Sequence, residues 1–142
     1  MSQADAQRRP AIAVVVRTLL AFDTIALVFA APLHVQGIHI TLGSAVFDEP
    51  QIVPASIVES IAGLLFVWAT YTAFTAKSSA WTSTLAAHLF AIAGFLLGIV
   101  ATWSGTTPFN APYHRVMLAV FVAGLILALL PAGRAALRST RR

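Results

Sequence analysis

Four long apolar runs dominate the hydropathy pattern of the chain, and short polar segments separate them. They predict helices over about 11–33, 56–76, 80–103 and 113–131. Each run is close to the roughly 20 residues that a helix needs to cross a hydrocarbon core of about 30 Å. Backbone groups cannot stay unpaired in lipid, and the runs are too long and too uniformly apolar for barrel strands. We therefore expect four membrane-spanning helices.

Composition narrows the class of protein further. Hydrophobic residues make up 58% of the 142 residues and charged residues only 10%, against about 25% charged in ordinary globular domains. The mean hydropathy is +0.84. Four spans leave little chain for a soluble domain, so the sequence predicts an all-α membrane protein. It would be a four-transmembrane-helix bundle in a single integral membrane domain over 1–142.

The basic residues predict the topology. If the N-terminus is cytoplasmic, every Lys and Arg except Arg115 lies on the inner side of the membrane or near it, as the positive-inside rule requires. Both termini would then be cytoplasmic, and we expect a multi-pass protein of the bacterial plasma (inner) membrane. Basic residues at membrane edges also explain the net charge of +4, so we expect no nucleic-acid partner.

The outer segment 34–54 is the longest connection between predicted helices. Ile38–Leu42 alternates apolar and polar residues between Gly37 and Gly43, which favours a short strand or a small hairpin. Its apolar character suggests that it folds over the outer end of the bundle. Ser56 and Glu59 then match a capping box, which places the start of the second helix at Ser56.

Asp23 is the leading candidate for chemistry inside the membrane. It lies near the middle of the first predicted helix, and an acidic residue at that depth costs about 2.5–3.5 kcal/mol on insertion scales. Two interpretations stay open. The carboxylate is either a proton or cation site, or a buried group hydrogen-bonded to a neighbouring Thr, Ser or His.

His88 and Arg17 are two further ionisable residues within the predicted spans. His88 could titrate, bind a metal or haem iron, or make a polar contact between helices. A bis-histidine haem needs a partner at the same depth, whereas the other three histidines map near the outer end. Arg17 either anchors the first helix at the inner interface by snorkelling or reaches the depth of His88.

The outer end holds further candidates. Glu59 either caps the second helix, at whose positive end a carboxylate is favourable, or takes part in catalysis. The three candidate metal ligands are His34, His39 and His114, with Asp48 and Glu49 nearby. The alternative is that they are ordinary histidines at a membrane interface.

The sequence contains no cysteine, so thiol redox chemistry, iron–sulfur clusters and cysteine zinc sites are excluded. It does not identify a cofactor. The expected surroundings are the lipid bilayer and either other membrane subunits or further copies of the chain, for which small-residue faces on the helices would allow close approach.

Part of the chain resembles the DoxX-like four-helix membrane proteins. The similar features are Arg17-Thr-Leu-Leu in the first helix, a Pro-containing outer segment, a second helix that opens Ile57-Val-Glu-Ser-Ile-Ala-Gly63-Leu-Leu, and the basic turn residue Lys77. They cover roughly residues 14–100. The glycine expected after the first-helix Arg is replaced by Ala21 or Phe22, and Gly63 lacks a second adjacent Gly.

The resemblance implies a small inner-membrane accessory of oxidoreductases or of quinone-linked sulfur chemistry, and it directs attention to Arg17 and Glu59. Three functions therefore remain open. The first is a non-enzymatic subunit or accessory of a larger membrane assembly. The second is a small proton- or ion-coupled transporter or channel that uses Asp23, and the third is a haem- or quinone-linked redox protein.

Overall fold

The computed structural model describes residues 3–101 and 110–138. They form five helices and a two-stranded antiparallel sheet. In chain order the elements are α1 (Gln3–Gln36), β1 (Ile38–Leu42), β2 (Ala45–Glu49), α2 (Val53–Phe74), α3 (Ala80–Ala101), α4 (Asn110–Leu129) and α5 (Pro131–Leu137). The predicted end of the third helix at residue 103 lies outside the described residues.

Four of these helices are long and apolar enough to cross a membrane, as predicted. The qualifying segments are Ala11–Gln36, Val53–Phe74, Ala80–Val100 and Pro112–Leu129. Consecutive helices pack against each other, and α1 also contacts α4, so the four helices enclose a common core. We call the end of this bundle next to the β-strands the hairpin end and the other end the turn end.

The side-chain distribution is that of a protein surrounded by lipid. Small residues and a few large apolar ones fill the core, with Leu20, Leu27, Phe66 and Phe121 fully buried. Large apolar side chains also cover the outside of all four helices. The exposed ones include Phe29, Leu64, Leu97, Val100, Val116 and Ile126. Such a continuous apolar exterior is unfavourable in water and favourable in a bilayer.

Hydroxyl pairs join neighbouring helices inside the bundle. Thr24 Oγ1 of α1 lies 2.8 Å from Thr70 Oγ1 of α2, and Thr72 Oγ1 of α2 lies 2.8 Å from Ser83 Oγ of α3. Hydrogen bonds of this kind contribute about 0.6 kcal/mol on average between membrane helices. They help to fix the register of α1, α2 and α3.

The first helix is longer than predicted and carries His34 in its last turn. Gly37 ends the helix with a positive φ of 63°, and its N–H donates to the carbonyl oxygen of Leu33 at 3.0 Å. This is the left-handed C-terminal motif for which glycine is favoured. His34 is therefore held on a helix facing the bundle and does not belong to the loop.

The outer segment forms the predicted hairpin. Ile38 pairs with Glu49 and Leu42 with Ala45. His39, Ile40, Leu42 and Val46 have exposed side chains. The expectation that this segment covers the outer end of the bundle stays a prediction.

The predicted start of the second helix at Ser56 was wrong. Helix α2 begins at Val53, with Pro54 in its first turn, and no side chain caps it. Proline suits the first turn because its missing N–H would have no partner inside the helix. The N–H of Ile52 donates to the carbonyl oxygen of His34 at 2.9 Å, which ties this helix start to the end of α1.

The turn between α2 and α3 is tight, as predicted. Lys77 N–H donates to the carbonyl oxygen of Thr72 at 2.9 Å, and Ala76 has a φ of 51°. This is the Schellman arrangement, with alanine in the left-handed position where glycine is usual. It makes α2 and α3 an antiparallel pair.

At the same end, the short helix α5 docks on Trp81. The indole Nε1–H donates to the carbonyl oxygen of Ala128 at 3.1 Å. The guanidinium carbons of Arg134 and Arg138 lie 4.4 and 4.9 Å from the ring centroid. These cation–π contacts hold α5 at the turn end.

Candidate functional site

Asp23 and His88, on different helices, meet inside the bundle. Asp23 Oδ2 of α1 lies 3.5 Å from His88 Nε2 of α3. The two residues are 0% and 1% exposed. We call them the core pair. The sequence left two interpretations of Asp23 open. The structure matches one of them, a buried carboxylate next to a histidine. The same geometry is also compatible with the other, a proton site.

The hydrogen bond that His88 makes through its other ring nitrogen, Nδ1, determines which ring nitrogen carries a hydrogen in the neutral imidazole. His88 Nδ1 is 2.8 Å from the carbonyl oxygen of Thr84. A carbonyl oxygen can only accept, so Nδ1 carries a hydrogen and donates it. In a neutral imidazole, Nε2 is then a bare acceptor that faces the carboxylate.

Two buried acceptors facing each other are unfavourable, so the core pair needs one more proton. In the described part of the chain, neither carboxylate oxygen of Asp23 nor His88 Nε2 has a hydrogen-bond partner. A single proton resolves the conflict, either on the carboxyl group or on Nε2 as an imidazolium. In both states the pair has no net charge, which is the state favoured in a low-dielectric interior.

Glycine on the facing helix makes room for the His88 ring. A Cβ atom placed on Gly124 of α4 would overlap the imidazole at Nε2 and would lie 2.9 Å from Cδ2. The Phe66 ring packs edge-on against the imidazole, with centroids 4.9 Å apart and an interplanar angle of 70°. The ring is therefore held from three sides.

The enclosure of His88 does not suit a haem ligand. Nδ1 is used by Thr84, and an iron bound to Nε2 would have to displace both Asp23 and α4. We therefore derive no chemistry through a haem at this residue.

A second buried acid–base pair lies at the hairpin end. His34 Nδ1 is 2.6 Å from Glu59 Oε2. The residues are 4% and 2% exposed. We call them the outer pair. Of the two interpretations of Glu59, capping does not match the structure, because α2 starts at Val53 without a side-chain cap and the carboxylate instead pairs with His34 of α1.

Aromatic rings surround the outer pair. The His114 ring centroid lies 6.4 Å from that of His34, 5.5 Å from that of Tyr113 and 5.0 Å from that of Phe95. Gly98 of α3 gives His114 its space, since a Cβ there would lie 3.1 Å from Cδ2 and from Nε2 of that ring.

The two histidines of α3 and α4 thus occupy reciprocal positions. His88 faces Gly124, and His114 faces Gly98. In each helix the histidine precedes the glycine by the same number of residues, and the rise of an α-helix places the two layers about 15 Å apart. Antiparallel packing brings each histidine opposite the other helix's glycine. This repeated spacing is visible in the sequence, although it was not predicted.

Three buried phenyl rings separate the core pair from the outer pair. Phe66 stacks on Phe121 with centroids 5.5 Å apart, and Phe121 meets Phe95 at 5.0 Å. Phenyl groups neither donate nor accept a proton in transfer. In this arrangement the three rings offer no hydrogen-bonding path between the two pairs.

A cavity opens beside the outer pair, between α2, α3 and α4. It has a volume of about 180 Å³, and its walls are largely apolar. Glu59 and His114 are the ionisable residues among its lining residues. Glu59 Oε1 is buried there and accepts no hydrogen bond from the residues that the structure describes.

The candidate metal ligands do not come together as a set. His34 and His114 are neighbours at the hairpin end. His39 lies on the exposed hairpin, where its Nδ1 is 3.3 Å from Asp48 Oδ1. Within residues 3–101 and 110–138, no group of three His, Asp or Glu side chains is arranged to hold a metal ion.

Arg17 lies toward the turn end. Its guanidinium carbon is 6.0 Å from the centroid of the Phe74 ring, near the C-terminus of α2. Of the three intramembrane candidates, the structure therefore brings Asp23 and His88 together and places Arg17 against a different partner.

Four apolar helices around a core that contains two acid–base pairs fit a small multi-pass membrane protein. No protein-family model matches the chain, and no curated protein or solved structure is similar to it at a significant level. The DoxX-like resemblance accordingly stays a prediction, and the function has to be argued from the core pair and the outer pair themselves.

Proposed function

We propose that this protein is a small proton-coupled transporter or channel of the bacterial inner membrane, with both termini cytoplasmic. The proton held between Asp23 and His88 is the one that moves. The single observation that carries this proposal is the burial of an acid and an imidazole 3.5 Å apart on two different helices.

A role in packing alone is a weaker account of the core pair. Leucine or phenylalanine would fill the same space without the cost of about 2.5–3.5 kcal/mol for an aspartate in a helix centre. Buried ion pairs are often no more stabilising than apolar residues of similar volume. The pair is more readily understood as a site that exchanges a proton.

Proton transfer beyond the core pair requires movement of the bundle or assembly of several copies. The phenyl layer of Phe66, Phe95 and Phe121 blocks a polar route to the outer pair in this arrangement. The His88 and His114 rings fit against Gly124 and Gly98, so a shift of α3 along α4 has to move both rings. A shift of that kind is the type of motion that would reopen the layer.

The test is proton uptake by proteoliposomes that contain a pH-sensitive dye, driven by a potassium diffusion potential. The proposal predicts uptake above that of protein-free liposomes and its loss in Asp23→Asn. The matched control is Asp48→Asn, which makes the same change on the exposed hairpin and should leave uptake unchanged. Undiminished uptake by Asp23→Asn would remove the core pair from the mechanism.

A second candidate function is a subunit of a larger membrane assembly, or self-association. It is favoured by the hairpin, where Ile40, Leu42 and Val46 are 45%, 65% and 58% exposed and where each strand has one edge that pairs with no other described strand. Apolar side chains and free strand edges are suited to pairing with another chain. Cross-linking in membranes should then be lost in Leu42→Lys, and cross-linking that persists would argue against docking through the hairpin.

A further inference from the structure

The cavity at the hairpin end has the size and lining of a small-molecule site. Its volume of about 180 Å³ exceeds the roughly 150 Å³ of an apolar protein cavity that accepts benzene. Ala55 and Val58 of α2 and Phe95 and Leu97 of α3 contribute to its apolar walls. A single six-membered ring therefore fits, and the Phe95 ring offers it an aromatic contact.

One of the side chains that line this cavity, Glu59, has an oxygen atom without a hydrogen-bond donor among the described residues. Glu59 is 2% exposed, and its Oε2 is paired with His34 Nδ1 at 2.6 Å. Its other oxygen, Oε1, is buried and receives no hydrogen bond in the described part of the chain. A buried acceptor without a partner is costly, so a ligand that brings an O–H or N–H group would be favoured.

The apolar walls of the cavity select an uncharged donor. A charged ligand would lose its hydration in a largely apolar cavity, which is unfavourable. A neutral hydroxyl group satisfies Oε1 without that cost.

The position of the cavity indicates how the ligand arrives. Leu97 in its wall is 69% exposed on the lipid-facing side of α3, and Pro54 at its edge is also exposed. The cavity thus reaches the surface that we expect to face lipid. A ligand that dissolves in the bilayer can enter from the side.

We propose that this cavity binds a small, uncharged, lipid-soluble hydroxy compound of the size of phenol, whose O–H donates to Glu59 Oε1. The site is separate from the core pair and does not depend on proton transport. It uses the outer pair as a fixed acceptor and the apolar walls of α2 and α3 as the binding surface.

The experiment measures binding of 4-fluorophenol to the full chain in lipid nanodiscs by fluorine NMR, with empty nanodiscs as the reference for partition into lipid. The matched ligand is 4-fluorotoluene, which replaces the hydroxyl by a methyl group. We expect saturable binding of 4-fluorophenol at least about tenfold tighter than that of 4-fluorotoluene, because hydrogen bonds to charged groups are among the stronger ones.

Two variants test the location. Ala55→Phe fills the cavity while it keeps Glu59, and we expect it to weaken 4-fluorophenol binding about tenfold or more. Ala93→Phe makes the same substitution on an exposed position of α3 and should bind as the unmodified protein does. If Ala55→Phe does not fold, the comparison of the two ligands on the unmodified protein decides. Equal affinities for the two ligands, non-saturable binding, or full binding by folded Ala55→Phe would each overturn the proposal.

Discussion

Replacing Gly124 by alanine tests how the core pair is built. The added Cβ would overlap the His88 imidazole at Nε2 and approach Cδ2 to 2.9 Å and Cε1 to 3.3 Å. The ring cannot simply turn away. Its Nδ1 is bonded to the Thr84 carbonyl oxygen, and the Phe66 ring packs against its side. Either the ring leaves its hydrogen bond or α4 moves outward.

The cost can be worked from these contacts. Overpacking a buried site costs about 1–3 kcal/mol, and loss of a buried hydrogen bond with an unsatisfied group left behind adds about 1–3 kcal/mol. We expect Gly124→Ala to lower the free energy of unfolding by roughly 2–6 kcal/mol. Reversible denaturation in mixed detergent micelles measures this difference.

Two further glycines give a graded control series. A Cβ on Gly98 would lie 3.1 Å from the His114 ring, whereas a Cβ on Gly63 would lie at an ordinary 3.7 Å from Leu27 Cβ. Alanine is a better helix former than glycine by about 1 kcal/mol. We expect Gly124→Ala to be the most destabilising, Gly98→Ala intermediate, and Gly63→Ala neutral or stabilising.

The double variant Gly124→Ala/His88→Ala identifies the cause of the destabilisation. If the cost of Gly124→Ala arises from the imidazole, it should largely vanish in a His88→Ala background, with a coupling energy close to the cost itself. A Gly124→Ala protein as stable as the parent, or a cost that is the same with and without His88, would refute the reasoning.

Two more predictions concern the turn and the outer pair. Ala76→Gly should raise stability by about 0.5–1 kcal/mol, because it relieves a positive φ, whereas Ala86→Gly within α3 should lower it by about 1 kcal/mol; the reverse order in thermal unfolding would contradict the Schellman assignment. His34→Leu and Glu59→Leu should each cost about 3–5 kcal/mol, because each leaves one polar partner buried, and the double variant should cost less than their sum. Strict additivity in denaturation would show that the 2.6 Å contact is not energetically coupled.

The sequence predicts the helices well because their signal is local. An apolar run of about 20 residues has few alternatives to a membrane-spanning helix. The ends were less predictable. Ser56 and Glu59 match a capping box, but the hydrogen bond from Ile52 to the distant His34 carbonyl and Pro54 in the first turn start α2 earlier. The tertiary contact therefore outweighed the local capping-box motif in setting the start of α2.

Most residues of the candidate site could be predicted from the sequence, but which of them contact each other could not. Asp23 and His88 stand out because ionisable residues are costly inside a membrane. Their contact depends on the relative rotation of α1 and α3, which hydropathy does not encode. Glu59 and His34 were separated in the prediction by a helix end placed at residue 33, three residues before the observed end at Gln36. The reciprocal histidine and glycine positions of α3 and α4 were a signal in the sequence for the register of these two helices.

The central claim is that Asp23 and His88 together hold one exchangeable proton. Nitrogen and carbon NMR of the labelled protein in bilayers, assigned with His88→Gln and Asp23→Asn, measures it directly. The account predicts a hydrogen on His88 Nδ1 and one further proton, located either on Nε2 or on the Asp23 carboxyl group. An ionised Asp23 next to a neutral His88 would contradict it, and so would a His88 whose Nδ1 carries no hydrogen.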